Sequence, residues 1–199
     1  MKNICVFCGA SDGLDQSYYD EATKMGKLLA ENGYNLIYGG SSMGIMGAVS
    51  KSAKENGSKL IGIIPERLDK ICKHSDNNTY DEYHITKGMR ERKAKMDELS
   101  DGIIALPGGF GTLEEVSEMI VQKILGYNNK PIVFLNTNHF YDNLFEFFEQ
   151  LIFERFAQTK VSYYYYLAQS PEEVIGYLKT YVPNELPKTV DDIYVKGNA

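Results

Sequence analysis

Short apolar runs alternate with longer stretches of helical period along nearly the whole chain. Residues 4–7, 35–38, 60–64, 103–106 and 132–135 are brief, almost uninterrupted apolar runs, each with the composition of a buried strand. Between them the period lengthens. Residues 17–32 place Tyr18, Ala22, Met25 and Leu29 on one stripe and stop at Gly33, and 45–56 form a second such stretch stopped by Gly57. Further helices are predicted over 88–100, 112–126 and 141–156. Ser170-Pro171-Glu172-Glu173 opens a last one, with serine as N-cap, proline in the first helical position and glutamate in the third. Residues 164–167 read as one more strand. Residues 66–86 are polar and weakly patterned, which predicts an excursion over the sheet edge or the mouth of a site. The expected organisation is one domain over 1–182 followed by a polar, extended tail over 183–199.

Near-continuously apolar strands separated by helices belong to a parallel sheet covered on both faces, an α/β architecture. Such sheets bind ligands at the carboxyl ends of their strands. Three turns fall there: Cys8-Gly9-Ala10-Ser11, then Gly39-Gly40-Ser41-Ser42-Met43-Gly44, then Pro107-Gly108-Gly109-Phe110-Gly111-Thr112. The third is the most informative. A strand that breaks through glycines into a helix presents free backbone N–H groups and the positive end of the helix dipole, a seat for a phosphate. The turn at Gly39 and Gly40, taken alone, is equally a tight strand–helix connection without a ligand. None of these turns spells a dinucleotide fingerprint or a P-loop.

Two readings of Glu115 compete. Thr112-Leu113-Glu114-Glu115 has the spacing of a capping box, in which Glu115 reaches back to the N-cap amide, and the segment read alone leans that way. The other reading has the carboxylate acting on the part of a ligand beyond its phosphate. The preceding helix shifts the balance. Residues 87–96 are the only basic cluster, and a basic run is ordinarily a solvated face. Yet Met89, Arg92, Met96 and Leu99 recur at helical spacing, so Arg92 falls within the inward stripe, with Lys93 flanking it and Arg90 facing away. An inward arginine needs an anionic partner, either Glu115 or a ligand phosphate. The turn then reads as a phosphate cradle with a catalytic carboxylate at its far end, the cap forming when the site is empty.

Composition trims the alternatives. A net charge of −6 argues against a general nucleic-acid binder. No apolar run approaches the ~20 residues of a spanning helix, and the apolar start runs straight into a strand–loop turn rather than a signal-peptide pattern. Cys5 and Cys8 have redox-motif spacing, but a strand points them to opposite faces. Free, buried thiols in a reducing cytoplasm are expected for all three cysteines. His74, His84 and His139 are scattered without metal-site spacing, so no metal is expected. The helix over 141–156 is apolar around a wider arc than one core-facing stripe requires, which suits either burial in its own domain or a homodimer contact.

Together these motifs resemble the LONELY GUY (LOG) family, whose signatures Pro-Gly-Gly-x-Gly-Thr-x-x-Glu and Met-x-x-Arg-Lys are matched by residues 107–115 and 89–93. The Cys8-Gly9-Ala10-Ser11 turn, Tyr38-Gly39-Gly40 and Gly44-Ile45-Met46-Gly47 fit as well, and the likeness runs from residue 2 to about 180. The resemblance implies a Rossmann-like, doubly wound fold without cofactor. It also implies phosphoribohydrolase activity on nucleoside 5′-monophosphates, cytokinin ribotides or AMP. It makes Arg92 and Glu115 the catalytic pair, and places Lys93, Gly108, Gly109, Phe110, Gly111, Thr112, Gly39, Gly40 and Ser11 against the nucleotide. Members have often been labelled lysine decarboxylases, but no lysine here sits in a recognisable pyridoxal-phosphate setting. Two departures bear on base preference. Ser41 replaces a common third glycine, and Pro65-Glu66-Arg67-Leu68 does not reproduce the Pro-x-Glu of plant members. The rival reading is a nucleotide or cofactor carrier on the same scaffold, since fold alone does not fix chemistry.

Overall fold

The computed structural model describes residues 2–72 and 80–195. The predicted His74, part of the excursion and the last four tail residues lie outside the described residues, as does the side chain of Cys72.

Among the described residues seven strands form one sheet: β1 (Asn3–Phe7), β2 (Asn35–Tyr38), β3 (Leu60–Pro65), β4 (Glu82–Thr86), β5 (Gly102–Ala105), β6 (Ile132–Leu135) and β7 (Tyr166–Ala168). Neighbouring strands run parallel and the order is β4-β3-β2-β1-β5-β6-β7. The order reverses between β1 and β5, which is the switch point of a doubly wound sheet. Cys5 of β1 lies between Ile37 of β2 and Ile103 of β5, all fully buried. The two sides of β1 serve different cores. Ile4 and Val6 join the cluster under α1 (Gln16–Glu31), α2 (Gly44–Glu55) and α7 (Pro171–Thr180), whereas Cys5 and Phe7 join the one under α4 (Met89–Leu99) and α5 (Phe110–Ile124). Side chains alternating across a strand therefore require apolar residues at every position, which is why these strands are uninterrupted runs. Cys5 and Cys8 are free, buried, and in opposite clusters.

The pattern misplaced three pieces. The excursion over 66–86 contains a helix, α3 (Glu66–Cys72), and the strand β4. Glu82-Tyr83-His84-Ile85-Thr86 forms the edge of the sheet, with β3 as its only neighbour among the described residues, so its side chains are mostly half-buried and carry no apolar run. The strand predicted over 164–167 lies at Tyr166–Ala168, after a 3-10 turn over Thr159–Tyr163. The helix after the glycine turn begins at Phe110 rather than at residue 112. At α7 the predicted cap is present, Ser170 Oγ accepting from Glu173 N. The tail carries one 3-10 turn, Val190–Asp192, closed by a capping box from Thr189.

Candidate active site

Three loops meet above the carboxyl ends of β1, β2 and β5, and backbone hydrogen bonds stitch them together. Gly9 N donates to Pro107 O (3.1 Å), Met46 N to Gly9 O (3.1 Å), and Gly44 N to the Asp12 carboxylate (2.8 Å). From β6's side, Tyr141 Oη donates to Leu106 O at 2.7 Å. Gly108 sits where these loops pack tightest. A Cβ there would overlap Thr112 Oγ1 and stand 2.9 Å from Gly9 N. The predicted convergence of glycine turns on one edge is thus realised, at the switch point.

Helix α5 rises from this junction with Gly109 as N-cap and no side-chain cap. Its first helical bond runs from Leu113 N to Gly109 O (3.1 Å), so the amides of Phe110, Gly111 and Thr112 precede the ladder at the positive end of the dipole. Thr112 is buried, while Phe110 is 90% exposed and Ser11 is exposed across the crevice. The capping box is not formed. Because the helix starts at Phe110, Glu115 lies in its second turn, too far along to reach the N-cap amide, and its carboxylate pairs with Arg92 instead.

Arg92 comes from the first turn of α4 and is buried, as is Glu115. Its Nη1 is hydrogen-bonded to Glu115 Oε1, and its Nε donates to Ile63 O at 2.9 Å. Gly39 covers the guanidinium so closely that a Cβ would overlap Nη2. Burial raises the Glu115 pKa above the ordinary glutamate value, an effect that the charge and hydrogen bond of Arg92 only partly offset. A carboxylate desolvated against one fixed cation in a crevice is a candidate functional group. Of the predicted inward stripe, Arg92 and Met96 are buried and Leu99 is half-buried, but Met89, at the helix start, is exposed; Arg90 faces outward, as expected. Lys93 is as buried as Arg92, and its ammonium is taken by Glu114 and Glu118 of α5. Burial alone would lower its pKa, but the hydrogen bonds it donates to those carboxylates, and their charge, outweigh that and hold it above the usual lysine value.

Sequence spacing did not reveal the walls. A cavity of about 210 Å³ adjoins the cradle, lined by Gly9, Ser11 and residues 107–109 and closed by Leu14, Tyr18 and Phe140. Phe140 follows two left-handed non-glycine residues, Asn138 (φ 53°) and His139 (φ 59°), and stands edge-on to Tyr18. These residues come from distant loops, and no motif joins them. Ser41, the departure from the glycine pattern, caps its own turn by accepting from Met43 N at 3.1 Å, and Glu66 is exposed at the start of α3. Among the described residues no three His, Cys, Asp or Glu side chains gather where they could hold a metal ion, and no helix is long and apolar enough to cross a membrane.

Residues 46–178 match a family described as "possible lysine decarboxylase". Over 92% of its length the chain is 39% identical to the cytokinin riboside 5′-monophosphate phosphoribohydrolase LOG of Oryza sativa subsp. japonica, covering 75% of that protein. A cytokinin riboside 5′-monophosphate phosphoribohydrolase of Arabidopsis thaliana is likewise 39% identical, with 79% of its length covered. The chain belongs to the LOG family. In this fold the residues matching the two LOG signatures, 89–93 and 107–115, meet through the ion pair of Arg92 and Glu115. Solved structures with this fold include a molybdenum cofactor binding protein from Rippkaea orientalis. It has a TM-score of 0.67 and 25% identity, over 90% of this chain and 97% of that one. The molybdenum cofactor carrier protein of Chlamydomonas reinhardtii has a TM-score of 0.67 and 24% identity, over 89% of this chain and 96% of that one, and speaks to fold alone.

Proposed function

We propose that this protein hydrolyses the N-glycosidic bond of nucleoside 5′-monophosphates, cytokinin ribotides and AMP among them, giving free base and ribose 5-phosphate. The observation that carries the reading is the buried ion pair of Arg92 and Glu115 in the second turn of a helix whose N-terminus is uncapped. The amides of Phe110, Gly111 and Thr112 take the 5′-phosphate, with Gly108, Gly109, Gly39, Gly40 and Ser11 leaving room for backbone approach. As the C1′–N bond breaks, positive charge builds on the ribose, as in glycoside hydrolysis. Ionised Glu115 stabilises that charge and orients the water whose oxygen bonds to C1′, and a proton leaves with the base. Arg92 holds the carboxylate and limits the cost of burying it. Lys93, paired with Glu114 and Glu118, borders the nucleotide from α5's flank. Water is the only co-substrate.

A carrier on this fold would use the phosphate seat equally well, but it has no need of a desolvated carboxylate beside the sugar. Among the described residues neither buried lysine is free to serve a decarboxylation. Lys93 is held by two carboxylates, and Lys123 lies at the far end of α5, bonded to Lys130 O just ahead of β6. The deciding experiment incubates the purified protein with AMP and with isopentenyladenosine monophosphate and follows free base by chromatography. Release from either is expected; tight binding without release from both would give the molecule to the carrier reading.

The protein acts as a homodimer in the cytoplasm on this reading. Free, buried Cys5 and Cys8 suit a reducing compartment, which cell fractionation checks. For the dimer, α6 (Asp142–Phe153) turns Leu144, Phe145 and Phe148 toward the core but has no fully buried residue. An apolar groove of about 300 Å³ runs between it and α5, flanked by Val121 and Phe147, each about half exposed (50% and 52%). Such an apolar face suits a second copy of the chain. Val121→Glu combined with Phe147→Glu is expected to convert a dimer into a folded monomer in light scattering; an unchanged mass would place the contact elsewhere.

A further inference from the structure

Gly62 interrupts the otherwise apolar strand Leu60–Pro65. A glycine inside a buried strand weakens it and marks a place where another group comes close. Here that group is Tyr80. A Cβ on Gly62 would stand 2.6 Å from Tyr80 Cδ1 and 2.7 Å from Cε1, so the ring occupies the slot that the missing side chain leaves. Tyr38 and Tyr83 hold the ring from either side, with centroids 5.9 and 5.1 Å away. The entry to β4 is fixed as well, by Asp81 N donating to Leu60 O (3.0 Å) and the Asp81 carboxylate accepting from Leu60 N (2.8 Å).

Held in this way at the sheet edge, Tyr80 reaches across to the end of β2. Its phenol O–H donates to Gly40 O at 2.5 Å. Gly40 is in the left-handed region (φ 82°), where a side chain would also overlap Ile64. Its neighbour Gly39 lies directly on Arg92 Nη2, and Arg92 Nε is fixed by Ile63, the residue after Gly62. A contiguous set of contacts therefore leads from the edge strand through turn 39–40 to the guanidinium and on to Glu115.

We propose that Tyr80 is a positioning residue for the reaction: its O–H fixes turn 39–40, and that turn seats Arg92 so that the guanidinium aligns Glu115. The kinetic part of this inference rests on the hydrolytic reading above; the structural part does not. In this role Tyr80 need not touch the substrate or the reacting atoms. It acts through backbone, and the ring and the hydroxyl have separable tasks, the ring filling the Gly62 slot and the hydroxyl making the tie.

Tyr80→Phe removes the tie and keeps the ring. Two measurements on the full chain test it. Hydrogen exchange of the amides over 39–44 is expected to quicken by about five- to tenfold, the size of one lost hydrogen bond, while β3 and α4 keep their protection. With AMP as substrate, kcat is expected to fall roughly tenfold with KM changed less than about twofold, below the hundredfold cost of a full ångström of misplacement. Gly62→Ala, which expels the ring, is expected to reproduce both effects. Unchanged exchange over 39–44 in Tyr80→Phe overturns the proposal whether or not the protein is an enzyme. Faster exchange with wild-type kcat also overturns it, leaving a structural tie only. Faster exchange in a protein whose wild type releases no base would refute the hydrolytic reading while supporting the coupling of Tyr80 to the turn.

Discussion

Glu115→Gln is expected to lower kcat for AMP by about 10²–10³-fold, the usual cost of removing one preorganised charge from a desolvated site. Binding should change little, because glutamine keeps the shape of the side chain and still offers Arg92 Nη1 an oxygen. Arg92→Ala should do more damage of another kind. It strands a buried carboxylate and leaves Ile63 O without its donor, so roughly 3–5 kcal/mol of stability goes with the activity. Urea unfolding separates the two variants, and base release that is unchanged in both would sink the catalytic assignment.

The pH dependence follows from the same pair. Burial holds the Glu115 carboxyl above the ordinary glutamate value, and the proposed hydrolysis needs it ionised. The rate should therefore fall, on acidification, at a higher pH than an ordinary carboxylate would set. Arginine's charge and hydrogen bond pull the other way, so Arg92→Lys, which cannot keep both contacts, should move this acid limb further upward. For folding the sign is opposite. A carboxyl whose folded pKa is raised binds its proton more tightly in the native state, so stability contributed below the unfolded pKa is lost as pH rises through the folded value. Ionising Glu115 at neutral pH therefore works against folding.

What the sequence made legible depends on how strongly each residue's surroundings constrain its type. Strands β1, β2, β3, β5 and β6 are covered on both faces, so every position must be apolar and the run is unmistakable. β4 has one neighbour and half-exposed faces, and Glu82-Tyr83-His84-Ile85-Thr86 carries no such signature. Arg92 was legible because a cation in an apolar stripe violates the pattern. Glu115 was ambiguous because the capping-box spacing depends on where the helix begins, and glycines at 108, 109 and 111 let it begin at Phe110. Tyr80 left its trace elsewhere, as a glycine in β3. Leu14, Tyr18 and Phe140 left none, since distant loops meet only in three dimensions.

Lys123→Met is expected to cost roughly 1–3 kcal/mol of stability at neutral pH, through groups far from the site. Lys123 is 1% exposed and its ammonium is held by uncharged oxygens. Its ammonium donates to Lys130 O (2.8 Å), Tyr164 O (3.0 Å) and Tyr181 Oη (2.7 Å), with the rings of Tyr164 and Tyr181 5.7 and 4.8 Å away. It thereby ties the α5–β6 connection, the approach to β7 and the end of α7 to one atom. Methionine fills the space but donates nothing, and leaves buried carbonyls unpaired. The pH dependence separates this tie from an ion pair. Burial lowers the Lys123 pKa from 10.5 to about 8. Between those values the unfolded chain holds a proton that the folded chain lacks, so stability rises with pH across the window. An ion-paired lysine would show the reverse. Urea denaturation followed by circular dichroism should therefore find the wild type's lead over Lys123→Met widening between about pH 8 and 10. A lead that narrows there would mean that charge, not the donated hydrogen bonds, holds these segments together.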